Sequence, residues 1–260
     1  MPASFDKYHR KAILDPVKFH KSRSRWNQFA AAIEKIDKDL LQGPILDAGC
    51  GVGYFVLEGL QRGRSIWGVD ASVGKLLRFR KLVHYTQGPE AWQQRCFLAD
   101  AEDLPVGTSR FAAVSSWYVL EHQRRPGVAL REMVRVTRPG GIVAIKAQDA
   151  RRGYEGHCKI PWMPFLPERL ARVWAEAFGV AIERRTDVYE VIQPQVVAIL
   201  ESLGCEVVLQ ASPPEASMPL SWQLDTPEHV RRVARRLKAE REAERWRPPP
   251  ENLYVYAVKR

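Results

Sequence analysis

Between residues 24 and 41 the stretch SRWNQFAAAIEKIDKDLL spaces Trp26, Phe29, Ala30, Ile33, Ile36 and Leu40 three or four positions apart. One apolar stripe on a helix gives that spacing, and Gly43-Pro44 would stop the helix. Short apolar runs then recur: PILDAG, SIWGVD, RCFLAD, FAAVSSW and GIVAIKA, ending near residues 47, 70, 100, 117 and 147. Helical stretches separate them. Buried strands alternating with helices predict an α/β fold, a parallel sheet wound on both faces.

Beyond residue 147 the pattern changes. Residues 148–192 are rich in Pro and aromatics, with a helix predicted from Pro167 to Phe178. PQVVAILESLGCEVVLQA reads as a helix, a stop at Gly204 and a strand, and NLYVYAVK alternates like a last strand. Between these lies a basic helical stretch from about Pro227 to Trp246.

Three of the apolar runs, ending ILD, GVD and LAD, finish on an acid. Ligands of open parallel sheets bind beyond the carboxyl ends of the strands, so the three acids in register mark a site. Taken singly, each could equally cap a helix or satisfy loop amides.

A chain of 260 residues with 45% hydrophobic content can bury a full core, and one domain is expected. Lys and Arg outnumber Asp and Glu by 40 to 30, which brings an anionic substrate, a nucleic acid or an acidic membrane surface into consideration. Cys50, Cys96, Cys158 and Cys205 are scattered without a CxxC pair, which fits a reducing compartment and not a zinc site. The first 26 residues are charged throughout and no run approaches a membrane span, so a cytoplasmic protein is expected.

The chemistry concentrates in GPILDAGCGVGYF. Gly49, Gly51 and Gly53 follow a predicted strand and precede a helix, so the chain can turn tightly and a ligand can touch bare backbone. A dinucleotide loop, GxGxxG, would need glycine at residue 54, which is Tyr. Asp-x-Gly-x-Gly-x-Gly, Asp47 to Gly53, instead resembles the first motif of class I S-adenosylmethionine-dependent methyltransferases, in the style of their small-molecule branch. The resemblance extends through Asp70 in IWGVDAS, LADAEDLP, FAAVSSWYVLEH and REMVRVTRPGGIVAI, five motifs in order over residues 43–147.

That resemblance implies a Rossmann-like doubly wound sheet of seven strands with an antiparallel last strand. It divides the single domain into an N-terminal helical segment (1–42), a cofactor-binding core (43–147), acceptor-cap insertions (148–192 and 212–250) and closing helix and strands (193–211 and 251–260). It implies S-adenosyl-L-methionine as cofactor, held by Asp47, Gly49, Cys50, Gly51, Gly53, Asp70 with Ala71, the Asp100-Ala101-Glu102 loop and Trp117. Asp70 would meet the ribose hydroxyls. Tyr118, Glu121, Tyr154 and Trp162 would face the acceptor, with Met163 and Phe165 adding apolar wall; an aromatic plug packing a helix onto the sheet is the competing reading of these rings. Tyr8 and Trp26 could close the cofactor site, or Trp26 could be core.

A sulfonium methyl is already activated, so alignment comes first and a base is needed only for a protonated acceptor. His122, after the fourth strand, and His157 are the catalytic candidates; a loop-bonded or helix-capping histidine is the competing reading of His122. A metal at Glu121-His122 is not expected, because the first Glu of the Glu-x-x-Glu-His pattern is Tyr118 here. A small-molecule acceptor methylated on a hydroxyl or carboxylate oxygen is expected. N-methylation, an RNA acceptor, or cofactor binding without turnover are the alternatives. SSWYVLEH lacks the Asn/Asp-Pro-Pro-aromatic motif of base-amino methylation, and Glu240, Glu242 and Glu244 intersperse the arginines of the basic helix, which reads as a solvated face.

Overall fold

The computed structural model describes residues 16–87, 95–156, 158–181, 188–211, 226–243 and 252–260. Helix α1 (Pro16–Asp37) leads into a short 3-10 turn, Lys38–Gln42. The stripe read from the sequence is real: Trp26, Phe29, Ile33 and Leu40 are buried. The helix stops earlier than expected because Asp37 turns to extended backbone and its carboxylate accepts a hydrogen bond from the Asp39 amide at 2.9 Å, capping the turn instead.

The core alternates as anticipated: β1 (Ile45–Ala48), α2 (Tyr54–Gln61), β2 (Ile66–Asp70), α3 (Val73–Gln87), β3 (Cys96–Leu98), β4 (Phe111–Trp117), α4 (Pro126–Val136) and β5 (Thr137–Ala147). After β6 (Tyr154–Glu155) and β7 (Ile160–Pro161), a small hairpin, come α5 (Glu168–Ala177), α6 (Gln193–Ser202), β8 (Cys205–Ala211), α7 (Pro227–Glu242) and β9 (Leu253–Lys259). Seven strands form one sheet in the order β3-β2-β1-β4-β5-β9-β8. The last strand, β9, runs antiparallel and is wedged between β5 and β8. This is the Rossmann-like arrangement the sequence implied.

Period-two alternation divides the sheet's side chains between two cores. Leu46, Val114, Val143, Ile145 and Val255 pack with α4 and α6. Ile45, Ala113, Ile142, Ala144 and Tyr256 pack with α1, α2 and α3. A third cluster belongs to the segment after β5, where Leu170 and Trp174 of α5 meet Val230, Ala234 and Leu237 of α7. There Thr226 caps α7, its hydroxyl accepting from the His229 amide, and Pro227 opens the first turn. The helix is described to Glu242, and its expected end at Trp246 lies outside the described residues.

Two strand boundaries differ from expectation. β3 is only three residues, its pairing ending at Asp70 with Leu98. Asp100 therefore sits in a loop, accepting from the Glu102 amide at 3.0 Å. β5 starts before the run GIVAIKA, at Thr137, and Arg138–Gly141 bulges from it, the register on β4 jumping from Phe111–Thr137 to Ala113–Ile142. Among the described residues no helix is long and apolar enough to cross a membrane.

Candidate functional site

At the carboxyl edge of β1 the chain makes a loop in which three glycines take left-handed φ angles: Gly49 (+84), Gly51 (+59) and Gly53 (+79). They are glycines for different reasons. A Cβ on Gly49 would lie 2.2 Å from Val119, and one on Gly53 would lie 2.0 Å from the Phe79 ring. Those two absences let the protein pack on itself, and Gly49 also lines the cleft described next. Only at Gly51 would a Cβ enter open space.

Gly51 lines a cleft of about 400 Å³ together with Arg25, Asp47, Cys50, Trp117 and Tyr118. Its amide donates to Asp70 Oδ2 at 2.8 Å, and the Ser72 amide donates to Oδ1 at 2.9 Å. Asp70 is thus fixed at the end of β2 with lone pairs to spare, since a carboxylate can accept about four hydrogen bonds. Ala71 beside it is exposed.

Asp47, next to last in β1, lines the cleft and is 4% exposed. Among the described residues its hydrogen bond comes from the Ser115 hydroxyl, at 2.8 Å. Burial raises its pKa from the ordinary 3.8 to about 7, against the pull of Ser115 and of the Arg25 charge. Burial, then the Asp47 and Asp70 charges, likewise pushes the Cys50 thiol well above its usual range, so it stays a packed, unreactive thiol. Trp117 Nε1 is sealed from solvent without a hydrogen-bond partner among the described residues.

Tyr118 turns the chain out of β4 at φ +60, a conformation rare for an aromatic residue. Its neighbours hold it there. The Tyr118 amide donates to the Lys146 carbonyl at 2.7 Å, and Asn252 Nδ2 donates to its hydroxyl at 2.9 Å. Strain of this kind persists where the surroundings fix it, and it concentrates at ligand sites.

The remaining expected residues fall elsewhere. Asp100, Glu102 and His122 line a second cleft, of about 640 Å³, with Arg125 and Tyr189, and this lining shares no residue with the first. Glu102 there is engaged by the backbone amide and guanidinium of Arg125, each at 2.8 Å. Ala101 is buried and His122 exposed. Glu121 is buried, and its carbonyl accepts from the Tyr189 amide. Trp162 is buried in the third cluster, its indole N–H donating to Glu190 at 3.1 Å. Tyr154 is half-buried on β6 beside the Arg152 guanidinium. Trp26 packs on Phe29 and Phe55 as core. His157 and Tyr8 lie outside the described residues. Sequence reasoning missed Arg25, Ser115, Lys146 and Tyr254. Only Lys146 carries a sequence signal: it is the one charged residue in the otherwise apolar run GIVAIKA.

Residues 46–145 match the family described as Methyltransferase domain. The tRNA U34 carboxymethyltransferase of Idiomarina loihiensis is 33% identical over 166 residues, which are 60% of this chain and 49% of that protein. The malonyl-[acyl-carrier protein] O-methyltransferase of Serratia marcescens is 33% identical over 101 residues, 38% of this chain and 36% of that one. The chain thus spans about half or less of the length of these two relatives. Among solved structures, an S-adenosylmethionine-dependent methyltransferase from Mesorhizobium loti superposes with a TM-score of 0.53 at 18% identity, covering 88% of this chain and 96% of the other. The glycine loop and nearly all of the first five strands thus lie in a stretch, residues 46–145, that matches the methyltransferase domain, and the sheet around them has the fold of a solved S-adenosylmethionine-dependent methyltransferase.

Proposed function

We propose that the protein transfers a methyl group from S-adenosylmethionine to an oxygen of a small-molecule acceptor. The observation that carries this reading is Gly51: alone among the three loop glycines it faces open space, in a cleft beside Asp47 and with its amide on Asp70. The donor set fits the cofactor. Asp70 would accept from the ribose hydroxyls, and Asp47, buried with one hydrogen bond, would take the ammonium of the amino-acid part. The Asp100–Glu102 loop would border the adenine. Once bound, S-adenosylmethionine supplies a methyl group activated on a sulfonium. The chain's own residues align the acceptor and exclude water. Residues 148–192 and 212–250 would form the acceptor cap. The O-methyltransferase relative from Serratia marcescens supports an oxygen acceptor. Calorimetric titration with S-adenosylhomocysteine tests the reading, and a wild-type protein that binds none would end it.

His122 tests whether a base is required. A positioned general base is worth about a hundredfold or more in rate. Because His122 lines the second cleft and not that of Gly51, His122→Ala is expected to lower kcat by less than about tenfold. A hundredfold fall with unchanged cofactor affinity would restore it as the base.

An RNA acceptor is the second reading, favoured by the tRNA-directed relative and by Arg231, Arg232, Arg235 and Arg236, all exposed on α7. Arg236 is paired with Glu240 at 3.0 Å, as in a solvated helix face. Neutralising the four arginines is expected to leave turnover within about twofold. An RNA enzyme would instead lose affinity and part of a steep salt dependence.

A further inference from the structure

Lys146 stands near the carboxyl end of β5, paired in register with Trp117 of β4. Its ammonium sits in a cage of rings, 4.4 Å from the centroid of Tyr254, 4.9 Å from Trp117 and 5.4 Å from Tyr118. The residue is 8% exposed, and among the described residues nothing accepts a hydrogen bond from its ammonium. Arg25, reaching from α1, places its guanidinium carbon 5.4 Å from the centroid of the same Tyr118 ring. It too forms no ion pair with a carboxylate among the described residues. Arg25, Trp117 and Tyr118 line the cleft of Gly51, where Asp47 feels the Arg25 charge, and Lys146 stands against the same two rings without a counter-charge among the described residues.

Such an arrangement is costly for the free protein. A buried charge without a partner is strongly unfavourable, and the faces of aromatic rings offset only part of that. A group of this kind belongs where a ligand brings the missing charge. We propose that Lys146, with Arg25 beside the same ring, recognises a carboxylate on the acceptor, so that the small molecule methylated here is an organic acid. The inference rests on the proposed methyl transfer and narrows its acceptor class. A carboxylate oxygen would supply the electron pair of the new O–CH₃ bond while the methyl's bond to sulfur breaks and that pair stays on sulfur. The product is a methyl ester, and no proton has to be removed.

The alternative role for a buried lysine is that of a base, and the charges around it argue against one. Burial and the Arg25 charge lower its pKa from 10.5 to about 8, while the three ring faces favour the charged form. At neutral pH it remains mostly an ammonium. The other charged and titratable groups near the cage and Arg25 are Tyr118, held up to about 12 chiefly by burial, Tyr254, Glu121, Arg152 and, within reach of the Arg25 charge, Asp47.

The test uses the protein saturated with S-adenosylhomocysteine and two probe pairs, benzoate with benzamide and octanoate with octanamide, titrated by calorimetry. Wild type is expected to bind each carboxylate about tenfold or more tighter than its amide. Lys146→Met should erase that preference, keep S-adenosylhomocysteine affinity within about twofold and raise Tm, since an unpaired buried charge gives way to an apolar chain. Lys146→Arg should restore the preference and hold it at pH 10, where the wild-type preference fades as Lys146 loses its proton. Equal affinity within both pairs, no measurable binding of either carboxylate, or a preference that survives Lys146→Met would overturn the proposal. Wild-type protein that fails to bind S-adenosylhomocysteine would overturn the methyl-transfer reading instead.

Discussion

Gly51→Val and Asp70→Ala are each expected to weaken S-adenosylhomocysteine binding by about a hundredfold or more while the protein stays folded. The magnitude follows from the interactions removed: charge-assisted hydrogen bonds are worth about 1.5–3 kcal/mol each, and 1.4 kcal/mol is a factor of ten. Gly51 can accept a side chain sterically because a Cβ there meets nothing within 4 Å, so the bulk enters the cleft and not the core. Its φ of +59 makes valine strained, at a cost of about 1–3 kcal/mol, which lowers Tm without abolishing the fold. Gly49→Ala and Gly53→Ala form the contrast, since their Cβ atoms would strike Val119 and Phe79. They should lose stability first and affinity only as a consequence. Wild-type affinity in both Gly51→Val and Asp70→Ala, measured on folded protein, would show that the loop holds no cofactor.

The second large effect concerns stability and pH. In the unfolded chain Asp47 loses its proton near 3.8, whereas in the folded protein burial holds the proton until about 7. Between those values the folded state binds more protons than the unfolded state, so stability falls as pH rises through the window and is level on either side. The span corresponds to a loss on the order of 4 kcal/mol. Urea unfolding at pH 5 and pH 8 should therefore show the cofactor-free protein less stable at pH 8, and Asp47→Asn should flatten the difference by stabilising the protein at the higher pH. An unchanged pH dependence in Asp47→Asn would mean that Asp47 is ionised and satisfied in the folded state. Saturating S-adenosylhomocysteine, whose ammonium would face the carboxylate, should recover much of the loss.

Both effects start from residues visible in the sequence, and the reason is local. Asp47 stands one residue before the end of β1 and Asp70 ends β2, and both follow apolar runs, so their position at the carboxyl edge of the sheet follows from pattern alone. The glycines were legible as a loop, but not which of them has room for a side chain; that depends on Phe79 of α3 and on Val119 after β4. Asp100 was expected at a strand end and stands beyond it, because pairing with β2 stops at Leu98. Trp162 reads equally well as pocket or plug until α5 and α7 close around it. Arg25 carried no signal, since its role depends on where α1 crosses the end of β4. Lys146 did break an apolar strand, yet nothing in the pattern foretold that Trp117, Tyr118 and Tyr254 would surround it.

The position of β9 has a consequence for the order in which the chain becomes native. β5 and β9 are hydrogen-bonded neighbours from Ile142–Val258 to Ala147–Leu253, and everything that builds the hairpin, α5, α6, β8 and α7 is spliced between them. Within the first five strands the widest gap is that between β1 and β4, whereas this pairing must close a longer loop, from Ala147 to Leu253, before its contacts repay the lost entropy. The half of the sheet that carries Asp47, Gly51 and Asp70 can thus form while the far edge is still open. The ring of Tyr254, which comes from β9, reaches Lys146 only when that last strand docks. The cage around the lysine is accordingly complete only when the two ends of this long insertion have met.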